Sequence, residues 1–122
     1  MNIAIIAHDN KKADMVAFVM KHKSFFKKIN KIYATGTTGS HIIKAGIEAI
    51  CLKSGPLGGD AQIAALLVDD KIDAIFFFID PLYSHPHEVD IHMLLRLSNV
   101  YDKPLATNVA TAGLLVQALS ES

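Results

Sequence analysis

The chain has 122 residues, 51% of them hydrophobic, and its 12 Lys plus Arg are matched by 12 Asp plus Glu. That length suits one domain with a full core, and the zero net charge leaves no broad positive field for nucleic acid or an anionic membrane, so any anion must be caught locally. The single cysteine, Cys51, cannot form an internal disulfide, and the longest apolar run, residues 74–79, is far short of the roughly 20 residues a membrane helix needs.

Asn2–Ala7 reads as a continuous apolar strand of the kind buried in the middle of a parallel sheet. With a strand at the very start, no secretory or targeting leader is expected, and a cytoplasmic protein with Cys51 as a buried strand thiol follows from the same reading. From Lys11 the period changes: Met15, Phe18, Val19 and His22 fall on one helical face. Lys12 sits in the first turn, where the helix dipole disfavours a cation. A bound phosphate would remove that conflict; a solvated lysine is the plainer alternative.

After a basic turn at Lys27 and Lys28, residues 29–34 form a second strand, and Thr35-Gly-Thr-Thr-Gly39-Ser40 turns into a helix ending near Gly46. Its hydroxyls and glycines suit either a phosphate at a helix N-terminus or ordinary capping. The glycine spacing is neither a dinucleotide fingerprint nor a Walker A loop. Residues 48–52 make a third strand, leading into Ser54-Gly-Pro-Leu-Gly-Gly-Asp60. Three glycines and a proline there let backbone N–H groups approach a ligand. Asp60, at the mouth of the next helix, reads as its N-cap or as a carboxylate base beside an anion nest.

That helix turns Ile63, Leu66 and Leu67 inward. Residues 73–79 are the fourth strand, ended by the proline-containing loop 80–90. A helix with Ile91, Leu94 and Leu95 inward follows, then a short strand at 105–107 and a closing helix at 109–119 with Ala112, Leu115, Val116 and Leu119 on one face.

Strands alternating with helices predict an α/β fold: one doubly wound, Rossmann-like domain over residues 1–122, with a five-stranded, mainly parallel sheet and helices on both faces. Strand-to-helix loops then share one edge, so His8, Lys12, the Thr35 loop, residues 54–60 and the loop 85–90 face one crevice. His22, His41 and His92 fall on predicted helices and are read as packing residues. His85-Pro-His87 lacks a recognised metal-ligand spacing, so no metal site is expected there, and no cysteine, serine and histidine arrangement resembles a nucleophilic triad. Acid and base chemistry remains. Asp60 and Asp90 as carboxylates, with His8 and His87 as polarising donors, suit proton abstraction next to a carbonyl.

The chain resembles the methylglyoxal synthase family from Ile5 to about Ala112. The motifs are Ala7-His8-Asp9, Tyr33-Ala-Thr-Gly-Thr-Thr-Gly39, Ser54-Gly-Pro-Leu-Gly-Gly-Asp60, Asp80-Pro-Leu82, Pro86-His-Glu88 with Asp90, and Ala106-Thr-Asn-Val-Ala-Thr-Ala112. The resemblance implies a cofactor-free lyase, commonly a homohexamer, that converts dihydroxyacetone phosphate to methylglyoxal and inorganic phosphate. It makes Asp60 the base and Asp90 a second functional carboxylate. It assigns Lys12, Thr35, Gly36, Thr37, Thr38, Ser54 and Gly55 to phosphate and substrate, and puts His8 and His87 near the reacting oxygens.

Against the family pattern, no arginine follows Arg96 to reach a neighbouring subunit's phosphate region, which implies weaker phosphate binding or inhibition. Ala61, Ala65 and Val89 replace a frequent glutamine, glycine and proline, and His85 is added. The rival function is a non-catalytic regulatory module binding phosphorylated metabolites or nucleotides. Such a module would need the threonine and lysine cradle but not Asp60, His8 and His87 together.

Overall fold

The computed structural model describes residues 1–82 and 91–121. Its centre is a five-stranded sheet built from β1 (Asn2–Ala7), β2 (Lys31–Thr35), β3 (Ile50–Leu52), β4 (Ala74–Phe78) and β5 (Leu105–Ala106), in the order β3-β2-β1-β4-β5. Every pairing is parallel: Ile3 lies opposite Ile32 on one side and Ala74 on the other. The chain winds outward from β1 to β3 and then returns to lay β4 on the free side of β1. The switch point therefore falls between β1 and β4, where an open parallel sheet leaves a crevice at the carboxyl ends of its strands.

The unbroken apolar runs of β1 and β4 are explained by burial on both faces. Ile3, Ile5, Phe76 and Phe78 point to one core, shared with Met15, Phe18 and Val19 of α1 (Lys12–Lys21), Ile42 of α3 (Gly36–Lys44) and Ala112 and Val116 of α6 (Val109–Ser120). Ala4, Ile6, Ile75 and Phe77 point to the other, shared with Ile63, Ala64 and Leu67 of α4 (Gly59–Val68) and Leu94 of α5 (Ile91–Val100). Each buried phenylalanine is worth about 1.5–3 kcal/mol relative to exposure. A slip of one residue in β4 would exchange the faces of all three, which fixes the register on which the site depends.

Three details depart from the sequence expectations. A short helix, α2 (Lys23–Lys27), occupies the supposed basic turn and drops Phe26 between Phe18 and Phe76, at 6.0 and 5.7 Å between ring centroids. Five residues are too few for a helical period to register. Helix α3 starts at Gly36, within the supposed turn, because Gly36 reverses the chain in one residue at φ +48°. Cys51 is exposed rather than buried, because β3 is an edge strand.

At the opposite edge Asp70 and Asp102 turn the chain in the left-handed region, at φ 57° and 54°, and Lys103 Nζ lies 2.8 Å from Asp70 Oδ1. No helix among the described residues is long and apolar enough to cross a membrane.

Candidate active site

The β1 end of the crevice is built around His8. Its N–H donates to the Phe78 carbonyl at 3.1 Å, carrying the β1–β4 ladder one residue past the strand, and its ring is buried edge-on to Phe77 at 5.3 Å. The Asp80 backbone N–H donates to His8 Nδ1 at 2.9 Å. With Nδ1 accepting, the ring hydrogen resides on Nε2, and the imidazole is oriented as a donor through that atom.

Asp80 is itself held in place: Oδ2 accepts from Asn10 Nδ2 and Oδ1 from the Leu82 N–H, each at 3.0 Å. Those bonds, Asn10's foremost, lower its carboxyl pKa from the ordinary value.

Lys12 links the loops after β1 and β2. Its Nζ lies 2.9 Å from Asp9 Oδ1 and 2.5 Å from Thr37 Oγ1. Asp9 offsets part of the unfavourable cation at the start of α1, and the ammonium remains directed at the start of α3. Thr35, the last residue of β2, is buried, as is Thr38, while Thr37 is exposed. The Thr38 hydroxyl is buried with no hydrogen-bond partner among the described residues. Burying such a group unpaired costs about 1–3 kcal/mol.

The loop after β3 is set by close backbone approaches. A Cβ on Gly36 would lie 3.1 Å from Ser54 Cα, so this glycine lets the loops after β2 and β3 touch. Ser54 leads into a 3-10 turn, Gly55–Leu57, and Gly58, at φ 106°, is the N-cap of α4. Asp60 is therefore not the N-cap but lies inside the first turn of α4, half-buried, its Oδ1 accepting the Ala61 N–H at 2.8 Å. The first turn favours a negative charge there.

His8, Lys12, Thr35, Gly36, Thr37, Thr38, Ser54, Gly55 and Asp60 thus all lie at the carboxyl ends of β1, β2 and β3, joined by the Lys12–Thr37 and Gly36–Ser54 contacts. His87 and Asp90, with His85, lie outside the described residues. His22 packs on Phe18 at 4.6 Å, its pKa lowered by burial and then by Lys21, while His41 and His92 are exposed on helices.

No group of three His, Cys, Asp or Glu among the described residues could hold a metal ion. Asn108, within the Ala106 to Ala112 motif, caps α6 by accepting the Thr111 N–H at 2.8 Å. Asn10 and the Asp80 backbone N–H, which set His8, were assigned no role from sequence. The sequence signals at Asp80 are an aspartate following the most apolar strand and its place in the Asp80-Pro-Leu82 motif.

The family model for the MGS-like domain matches residues 14–107. The chain is 52% identical to a methylglyoxal synthase of Thermoanaerobacter sp., covering 99% of this chain and 92% of the relative. It is 49% identical to one of Exiguobacterium sibiricum, over 99% and 84% respectively. The crystal structure of methylglyoxal synthase from Elizabethkingia anophelis superposes with a TM-score of 0.89 at 41% identity, covering 94% of this chain and 76% of that one.

Proposed function

Since the chain belongs to the methylglyoxal synthase family, we propose that this lyase, which acts on a phosphate-containing substrate, takes dihydroxyacetone phosphate and releases methylglyoxal and inorganic phosphate. The ester's phosphate is held by Lys12 and Thr37, the Thr38 hydroxyl, and the backbone at Thr35, Gly36, Ser54 and Gly55. Asp60 removes a proton from the hydroxymethyl carbon. The released electron pair forms the carbon–carbon double bond of an enediolate, whose oxygen accepts from His8 Nε2–H. His87 and Asp90 join this centre on sequence grounds, as a second donor and a second carboxylate.

The terminal hydroxyl of the enediolate then gives up its proton, its oxygen forms the aldehyde C=O, and the double bond shifts to expel phosphate, which leaves with the C–O bonding pair; the resulting enolate takes a proton on its methylene carbon to give methylglyoxal. The substrate carbonyl is the electron sink, so no cofactor is needed.

The observation that supports this proposal is the bond from the Asp80 N–H to His8 Nδ1, which leaves Nε2 as the ring's N–H donor rather than a lone pair. Inorganic phosphate is assigned as product and competitive inhibitor, and the assembly as a cytoplasmic homohexamer. Incubation with dihydroxyacetone phosphate should give methylglyoxal and phosphate in equal amounts. Isomerisation without phosphate release, or phosphate-dependent thermal stabilisation without turnover, would replace the lyase with an isomerase or a regulatory binder.

A further inference from the structure

Gln62 belongs to none of the groups assigned above, yet its side chain is bonded to the backbone beside three of them. Its Oε1 accepts the Lys53 N–H at 2.8 Å, reaching back from α4 to the residue that leaves β3. The same short stretch is fixed twice more: the Lys53 carbonyl accepts from Gly36 N–H at 3.3 Å, and the Ser54 carbonyl accepts from Gly59 N–H at 2.9 Å. Strand β3 is only three residues long and is paired on one side alone, so its own ladder gives little hold on Lys53. The loop closed by Gln62 contains Ser54 and Gly55 of the phosphate cradle at one end and Asp60 at the other.

Given the lyase reaction proposed above, we infer that Gln62 is a positioning residue that sets the spacing between the phosphate-holding backbone at Ser54 and the base Asp60. It needs only an acceptor oxygen to do so. Gln62 lies on an exposed turn of α4, where its side-chain oxygen is engaged by the Lys53 N–H.

The test compares Gln62→Met, which keeps length and helix propensity but loses the oxygen, with Gln62→Glu, which keeps the oxygen. Misplacing a reacting group by about 1 Å costs up to roughly 10²-fold, so Gln62→Met should lose about tenfold or more in kcat. KM should change less than threefold, because Lys12 and the α3 start still hold the phosphate. Exchange of the substrate's hydroxymethyl hydrogen with deuterated water should slow in proportion, and the Lys53 amide should exchange faster by hydrogen exchange. Gln62→Glu should recover most of kcat and the slow Lys53 amide.

A Gln62→Met protein with a faster Lys53 amide but wild-type kcat would overturn the inference, as would a loss confined to KM or no recovery in Gln62→Glu. The wild type, assayed alongside, separates this from failure of the lyase proposal: only the latter predicts no methylglyoxal from the unmodified chain.

Discussion

Gly59→Ala tests whether the spacing of the loop after β3 sets the chemistry. A Cβ at Gly59 would sit 2.0 Å from the Lys53 carbonyl oxygen and 2.9 Å from its carbon, where ordinary contact begins at 3.4 Å, so about 1.4 Å of separation must be found. Both atoms are backbone, and the peptides around them are bonded to Gly36, Gln62 and Gly59 itself. No flexible side chain can give way. The displacement passes into Ser54 on one side or Asp60 on the other.

Overpacking of this kind costs about 1–3 kcal/mol, which for a domain of this size lowers Tm by roughly 4–12 °C. A shift near 1 Å at a reacting group costs roughly 10²-fold in rate. Steady-state turnover of dihydroxyacetone phosphate below the lowered Tm should therefore fall by about that factor. Gly113→Ala is the control: nothing lies within 4 Å of its Cβ, and it sits inside α6, so the variant should gain up to about 1 kcal/mol with unchanged turnover. Wild-type turnover in a folded Gly59→Ala protein would show that the spacing from Ser54 to Asp60 is not what the reaction needs.

Asp60→Asn retains an acceptor for the Ala61 N–H and leaves the Gly58 cap untouched, so stability should hold while turnover falls by roughly 10²- to 10⁴-fold and a phosphate-ester analogue still binds. Activity near wild type in calorimetrically intact protein would move the base elsewhere. Lys12→Ala removes the cation that faces Thr37, and because a hydrogen bond to a charged group is worth about 1.5–3 kcal/mol, analogue affinity should drop about tenfold or more in titration calorimetry.

At the far edge of the sheet, the hydrogen bond from Lys103 lowers the Asp70 pKa from its ordinary 3.8. A depressed folded value means the contribution is present above 3.8 and lost as pH falls through the folded value. Asp70→Asn, which tolerates the left-handed φ, should flatten that acid-side fall in urea stability while leaving the site alone.

Legibility in the sequence follows from the distance over which each feature is decided. β1 was bounded from its composition alone because six consecutive residues mostly have no exposed face to interrupt the run. The closing helix α6 is legible for the opposite reason, because Ala112 and Val116 repeat on one buried face among exposed residues. Cys51 misled because an apolar strand looks alike in the middle and at the edge of a sheet. Only strand order separates the two, and β3 lies outermost because the chain returns past β2 to place β4 beside β1.

The same strand order decides what could be seen of the site. Side chains such as Lys12, Thr37 and Asp60 announce themselves by type, and the loops that carry them follow directly from alternating strands and helices. The group that selects the working nitrogen of His8 does not, because it is a backbone N–H, 72 positions away at Asp80, and every residue type except proline offers the same donor. Its direction depends on β4 lying next to β1 and ending level with it, Ala7 opposite Phe78, so that the next residues on both chains meet across the switch point. Asn10 then reaches the Asp80 carboxylate across that gap and holds the turn from which the N–H emerges. A sequence pattern that lists chemical groups therefore offers the proposed base and the proposed phosphate cradle, but misses the tautomer, because the tautomer is set by sheet order and not by any residue's identity.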